Sequence, residues 1–540
     1  MDEKELEKNS DVKPRPAVPP APAHAQAAVP NYYQPYIPRN RRPEYIEFKS
    51  GAVSPKGLII TVLSILLCIF YTETVLLGST GISVPIFAIA FYCTLFYYFR
   101  DVGSPLNKSA VYLTFPVMLL SFSFFIHYNP STQFITWLTL IGIICIQLIM
   151  FGKKNVEDLF SFDMLIKILI NLIGRPFSNL GMPFLSFEVL KGNKSKTLRN
   201  LILVLIGLVI SLPLAVILMS LFMSADAFFA DAVNTVIDFI GLDFANIFAD
   251  LFLGFISGIF LAAALLGLKY EKEKEKASIK LGNSIDSIIT GTFLTIINIF
   301  LIAFVAFQFV YLFGGTVNIT VSGMSYAEYA RRGFFELTAA SFLIFAIALF
   351  VLFMTKRKEE KLPLWVKLGT VSLCACNGVL LVSAVKRMLL YVDAYGLSVK
   401  RVLTLWLMCI IGLCLIWLIA KCFIGKMNVL KWIGITVIAG VCILSLANTE
   451  RLIAGYNIDR YISDPDKISL DVSHLSQLSY TTAPEIAKLD DSDLKGPIKK
   501  DDVEYILNNQ KLVFESRNSL YGFTLDSIAA ENVFEKHLKK

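Results

Sequence analysis

A chain of 540 residues could hold several soluble domains, but 55% hydrophobic residues, 42 phenylalanines and only 17% charged residues exclude a largely water-soluble protein. The net charge of +7 sits mainly in connections between apolar segments, where anionic lipid headgroups attract it, so it gives no argument for nucleic acid as a partner. All nine cysteines fall within or at the edge of apolar segments and none lies after Cys442, which rules out a disulfide framework or thiolate zinc site in the C-terminal region.

Residues 1–57 read as a disordered arm, with nine prolines between Pro14 and Pro43 followed by NYYQPYIPRNRRPEY. The first apolar run begins only after this arm, so no cleavable signal peptide is expected. Eleven segments long enough to cross a bilayer follow, at about 58–77, 82–99, 110–126, 133–151, 200–222, 251–268, 287–312, 333–354, 366–385, 402–424 and 429–447. The predicted fold is therefore an all-α integral membrane protein with about 11 transmembrane helices. It divides into the arm, a first group of four helices over 58–151, a cytosolic amphipathic and basic segment over 152–199, a seven-helix core over 200–447 and a helical module over 448–540.

Orientation follows from where Lys and Arg fall. The arm and alternate connections carry 32 of them, while the opposite connections at 78–81, 127–132, 223–250, 313–332 and 386–401 carry 6. The bias predicts a multi-pass plasma-membrane protein with a cytoplasmic N-terminus, and eleven crossings then place 448–540 outside. In that module, Asp464-Pro465-Asp466, Asp501-Asp502 and Leu525–Leu538 mark about four short helices continuous with the last span.

The 223–250 segment carries Asp226, Asp231, Asp238, Asp243 and Asp250 among apolar residues, as expected of one or two helices resting on the outer membrane surface. Two outer segments break the charge rule. In YAEYARRGFFEL, Arg331 and Arg332 precede Glu336, which lies within i,i+4 reach of Arg332. In VKRMLLYVDAYGLSVKR, Arg387, Tyr391 and Tyr395 recur every four residues, so one helix stripe offers a guanidinium and two phenols before Gly396 ends the helix. If these groups converge with Asp226, the outer mouth holds an anion site, since arginine grips phosphate or carboxylate with a bidentate fork and tyrosine adds a hydroxyl donor. The plainer alternative is that Arg and Tyr anchor helix ends at the interface. Within the spans Glu73 is the one carboxylate well inside, and an intramembrane carboxylate is a candidate proton acceptor.

No P-loop, GxSxG, HExxH or strand-linked dinucleotide fingerprint is present, so no enzyme, cofactor or metal is indicated. The segments SADAFF (224–229), YARRGFFEL (329–337), RMLLYVDAYGLSVKR (387–401), NTERLIAGYNIDRY (448–461) and LDVSHLSQLSYTTAPEI (470–486) together resemble DUF4173, a group of bacterial polytopic membrane proteins related to DUF4153. His474 and Thr482 depart from the last motif, where the group carries an aromatic and an acid. The likeness runs from about residue 150 to the end; it implies the architecture and brings no activity. The expected function is a non-enzymatic envelope sensor or assembly component whose outer face engages an anionic lipid, ligand or envelope protein, with membrane lipids as further partners. A secondary transporter, proton-coupled through Glu73, is the alternative, and a membrane-embedded transferase comes third.

Overall fold

The computed structural model describes residues 54–100, 107–152, 174–192, 221–240, 244–270, 284–313, 334–357, 362–491, 498–517 and 519–538, with scattered positions between 200 and 219. The N-terminal arm up to residue 53, most of the 152–199 segment and most of the expected span 200–222 lie outside them. Among the described residues every regular element is helical. Among those residues nine helices are long and apolar enough to cross a membrane, and Ser83–Phe99 is a shorter apolar helix. Ten of the eleven expected crossings thus have a helix; the other falls in 200–222.

In chain order the apolar helices begin with α1 (Pro55–Leu76, its last five residues a π-helical turn), α2 (Ser83–Phe99), α3 (Lys108–Ile126) and α4 (Pro130–Gly152). The expected surface segment is α5 (Ala227–Ile240), after which α6 (Phe244–Tyr270) starts early enough to take in Asp250. Then come α7 (Ser287–Phe313), α8 (Phe334–Met354), α9 (Leu364–Tyr395), α10 (Val399–Phe423) and α11 (Val429–Leu446).

Two apolar clusters form the bundle. One gathers α1 to α4 with α6 and α11, around Tyr98, Leu120, Leu266 and Val441. The other gathers α7 to α10, around Leu294, Ala348, Leu373 and Leu418. Helices from both sides of residue 151 therefore pack in a single cluster. Between the clusters, α10 lies against α11: Trp406 donates to the Gly440 carbonyl at 3.0 Å and Trp417 stacks on Trp432 at 4.8 Å.

Lipid cannot drive apolar helices together by the hydrophobic effect, so close approach and buried polar ties must do it. The α1–α6 crossing uses GFISG, Gly254 to Gly258. A Cβ on Gly254 would stand 2.5 Å from Ile69 Cα, and one on Gly258 2.5 Å from Ile65 Cα. Elsewhere amides serve: Gln147 on α4 accepts from Tyr92 on α2 and donates to the Ala110 carbonyl on α3. Asn298 on α7 donates to Gly369 on α9, and Asn377 on α9 to Ser341 on α8.

The bundle has a basic end and a tail end. At the first, Lys56 donates to the Arg100 carbonyl at 3.1 Å, Lys269 to the Tyr98 carbonyl at 2.8 Å and Lys421 to the Met427 carbonyl at 2.7 Å. At the other, α11 stops at Leu446, Ala447 turns extended and Asn448 caps α12 (Thr449–Ser463). The module is thus hinged directly on the last span rather than continuing it. It comprises α12, a short turn of helix at Val472–Ser476, α13 (Ala483–Asp491), α14 (Lys500–Arg517) and α15 (Leu525–Leu538) around Ile458, Tyr461, Tyr480 and Ile506. The expected helix start at Asp464-Pro465-Asp466 is instead the turn after α12, because Asp471 supplies the capping oxygen, to the His474 amide at 2.9 Å.

Candidate functional site

The tail end of α9 carries the expected stripe. α9 runs 32 residues, about 48 Å, against the roughly 20 residues a bilayer core needs, so Lys386 to Tyr395 continue the helix past the apolar stretch that ends near residue 385. Arg387 is thus on a helix, as the four-residue stripe predicts. Its Nη2 donates to Gln308 Oε1 of α7 at 3.2 Å, and Ser383 Oγ, one turn earlier, donates to the same oxygen at 3.0 Å.

One turn beyond, Tyr391 and Tyr395 meet edge to face at 5.0 Å. The cation over them is Arg401, in the first turn of α10, 4.2 Å from the Tyr391 ring and 5.9 Å from that of Tyr395. Its Nη1 also donates to the last carbonyls of α9, Tyr395 at 3.1 Å and Gly396. The sequence reading stopped at Arg387 and passed over Arg401. Gly396, at φ +76°, ends α9 in a conformation that suits glycine and turns α10 back, which brings Arg401 beside Tyr391. Lys386 and Lys400, next to Arg387 and Arg401 in sequence, are exposed.

α12 clamps this junction from the tail. Asn457 accepts from the Leu397 amide at 2.7 Å and donates to the Leu397 carbonyl at 2.9 Å. Arg460 donates to the carbonyls of Val392, at 3.4 Å, and Asp393. A second set of contacts fixes the tail to α3 and α4. Glu450, 2% exposed, accepts from Ser131 and from the Ser479 amide at 2.6 Å. His127, just past α3, places Nδ1 2.7 Å from Asp526 Oδ2 and Nε2 3.0 Å from the Leu446 carbonyl, while Asn448 donates to the same Asp526 oxygen. Tyr128 stacks on Tyr480 at 5.3 Å. Within the tail, burial raises the Glu485 carboxyl, but hydrogen bonds from Lys488 and Arg451 outweigh it and hold that pKa below the usual range. Burial lowers His474.

The other expected residues have separate places. Asp226 caps α5, its Oδ1 accepting from the amides of Phe228 at 2.8 Å and Phe229 at 3.1 Å, so its carboxylate serves that helix end. Glu336 is exposed in the first turn of α8, while Arg331 and Arg332 lie outside the described residues. Glu73 is exposed in the π-helical turn of α1, within electrostatic reach of Asp250 on α6. Among the described residues no three His, Cys, Asp or Glu side chains converge as a metal site would require.

The segments that resemble one family, 387–401, 448–461 and 470–486, thus pack against one another: Asn457 on Leu397, Glu450 on Ser479, Arg451 on Glu485 at 2.9 Å. The profile of one family, a domain of unknown function (DUF4153), matches residues 114–489. The chain belongs to the DUF4153 family. The match includes DUF4153 residues on α3 and α4 that the motif reading left out, and it stops within α13, before α14 and α15. No curated protein and no solved structure matches the chain.

Proposed function

We propose that this DUF4153 protein is a non-enzymatic sensor or assembly component of the cell envelope, set in the plasma membrane with its tail outside, that engages an anionic lipid or ligand at the tail end of α9. The observation that carries the reading is the pairing of a stacked guanidinium, Arg401 on Tyr391, with Arg387 one turn deeper on Gln308. Lys386 and Lys400, exposed beside these arginines in sequence, add charge, and arginine suits phosphate while tyrosine suits the headgroup layer. The tail, clamped to the same junction by Asn457 and Arg460, would report what is bound there.

The test is lipid retention. Full-length protein is extracted from mixed phosphatidylcholine and phosphatidylglycerol membranes, and co-purifying lipid is quantified for wild type, Arg387→Ala and Arg387→Lys. The reading expects enrichment of the anionic lipid, lost on Arg387→Ala and partly kept with Arg387→Lys. Equal retention by all three at equal folded yield would sink it.

A proton-coupled transporter is the second reading, favoured by Glu73 lying beside Asp250 at the end of the GFISG crossing. It expects Glu73→Gln to abolish a proton flux into proteoliposomes that wild type supports.

A further inference from the structure

We propose that the tail segment Ser519–Leu525 is inserted in the lipid leaflet, so that the module is fastened to the bilayer as well as to the bundle, and that its partner there is phospholipid. The depth of this segment follows from α2. With 17 residues α2 is about 25 Å long, shorter than the roughly 30 Å hydrocarbon core. Its far end is tied to charged groups that must reach the headgroups: Lys56 bonds the Arg100 carbonyl just past α2, and Lys269 bonds that of Tyr98. A helix this short, anchored at one boundary, brings its other end no farther than the opposite boundary.

That other end is where the tail attaches. The Ile82 amide donates to the Phe523 carbonyl at 3.0 Å and the Ser83 amide to that of Tyr521 at 3.4 Å. These amides at the start of α2 have no partner within their own helix, and lipid offers none, so the tail backbone satisfies them. The approach leaves no room for side chains: a Cβ on Gly81 would lie 2.5 Å from the Gly522 carbonyl carbon. Arg517, at the end of α14, closes the attachment by donating to the Thr80 carbonyl at 2.9 Å while lying over the Tyr128 ring at 3.8 Å.

The side chains fit such a depth. SLYGFTL contains no charge. Leu520 is 83% exposed, and Tyr521, Phe523, Leu525 and Ile528 are exposed beside it. Exposed Leu76 and Leu77 end α1 just before the Ser79 that Gly522 touches. In water this would be an apolar patch without a reason; at the edge of a leaflet it is the expected surface, with a tyrosine at headgroup level. The inference holds whichever face the tail occupies and whether or not Arg387 binds an anion.

Photocrosslinking decides it. Leu520 is replaced by p-benzoylphenylalanine in the full chain, which is reconstituted in phosphatidylcholine and phosphatidylglycerol vesicles, irradiated and analysed by intact mass. The same replacement at Tyr505, about three turns before the end of α14, and at Phe300, exposed midway along α7, provides comparison. Position 520 should yield a phospholipid adduct as Phe300 does, at least about tenfold above position 505. An adduct at 300 but not at 520, or equal yields at 505 and 520, would overturn the proposal.

Discussion

Asn457 and Leu397 exchange two hydrogen bonds, side chain to backbone in both directions, at 2.7 and 2.9 Å. The asparagine imitates a backbone partner for the residue just after the Gly396 turn, and so joins the tail to the α9–α10 junction. The same junction holds Arg401 over Tyr391, which couples the position of α12 to the group most suited to an anion.

Asn457→Ala removes both bonds at once. It is expected to cost about 1–3 kcal/mol of tail docking, since a backbone donor and acceptor lose their partner. Limited proteolysis should release the tail faster while the bundle keeps its helical signal. Gly396→Ala should act similarly, because the alanine methyl would run into Asn457 Oδ1 and φ +76° strains any L-residue. Because they share one contact, the two changes together should cost less than their sum.

His127 lies between two groups that only accept, the Asp526 carboxylate and the Leu446 carbonyl. Its two ring nitrogens thus tie the tail, through Asp526, to the end of α11. Glu450 and Arg517 flank this region through Ser131 and Tyr128. His127→Ala should weaken tail docking by about 2–3 kcal/mol, leaving Asp526 half-buried with only Asn448. Asp526→Asn should cost less, because an amide oxygen at that place can still accept from His127 or Asn448. Thermal midpoints of tail release for the two variants check the order.

Much of the bundle was legible because crossing a bilayer is a local demand: each apolar run of sufficient length had to be a helix, and the ten that fall on described residues are. Helix ends were less legible from hydropathy, which puts the start of α6 near 251 where the helix begins at Phe244; for α9 the four-residue stripe and Gly396 marked the end at Tyr395. The site was legible only as one stripe. That Arg387 would meet Gln308, Arg401 lie on Tyr391 or His127 find Asp526 depends on partners up to 399 residues away, and no spacing encodes that. The capping role of Asp226 was not legible, because a capping aspartate and a ligand-binding one look alike in sequence.

Acid should loosen the tail. The Glu485 carboxyl has a folded pKa below its ordinary 4.5, so its ion pairs with Arg451 and Lys488 contribute fully above that value and fade as pH falls through the lowered folded value. His474, lowered from 6.5 by burial, acts in the same direction: below 6.5 the unfolded chain takes up a proton that the folded one refuses. Tail unfolding followed by tyrosine fluorescence should therefore become easier in two stages, the first below about pH 6.5 and the second below about pH 4.5. Glu485→Gln should flatten the lower stage alone.

Replacing Gly258 with leucine should separate α1 from α6. The new side chain would enter Ile65 backbone, which cannot retreat without parting the helices, at a cost of about 2–4 kcal/mol. Gly142 on α4, with open space where a Cβ would go, should tolerate the same change. Thermal stability in detergent distinguishes them, and equal behaviour of both variants would refute the close crossing.

Threading can be read chemically because the tail contains no thiol. The basic end holds Lys56, Lys269 and Lys421 and the tail is fastened to the other end, so the proposed orientation, with the basic end inside the cell, would put the tail outside. Ser516→Cys, exposed on α14, should react with a membrane-impermeant maleimide in cells whose plasma membrane is intact. The native cysteines all lie on apolar helices, away from a reagent confined to water, so wild type gives the background. If position 516 is labelled only after lysis, the tail is cytoplasmic, and a ligand reaching Arg387 and Arg401 would have to come from inside the cell.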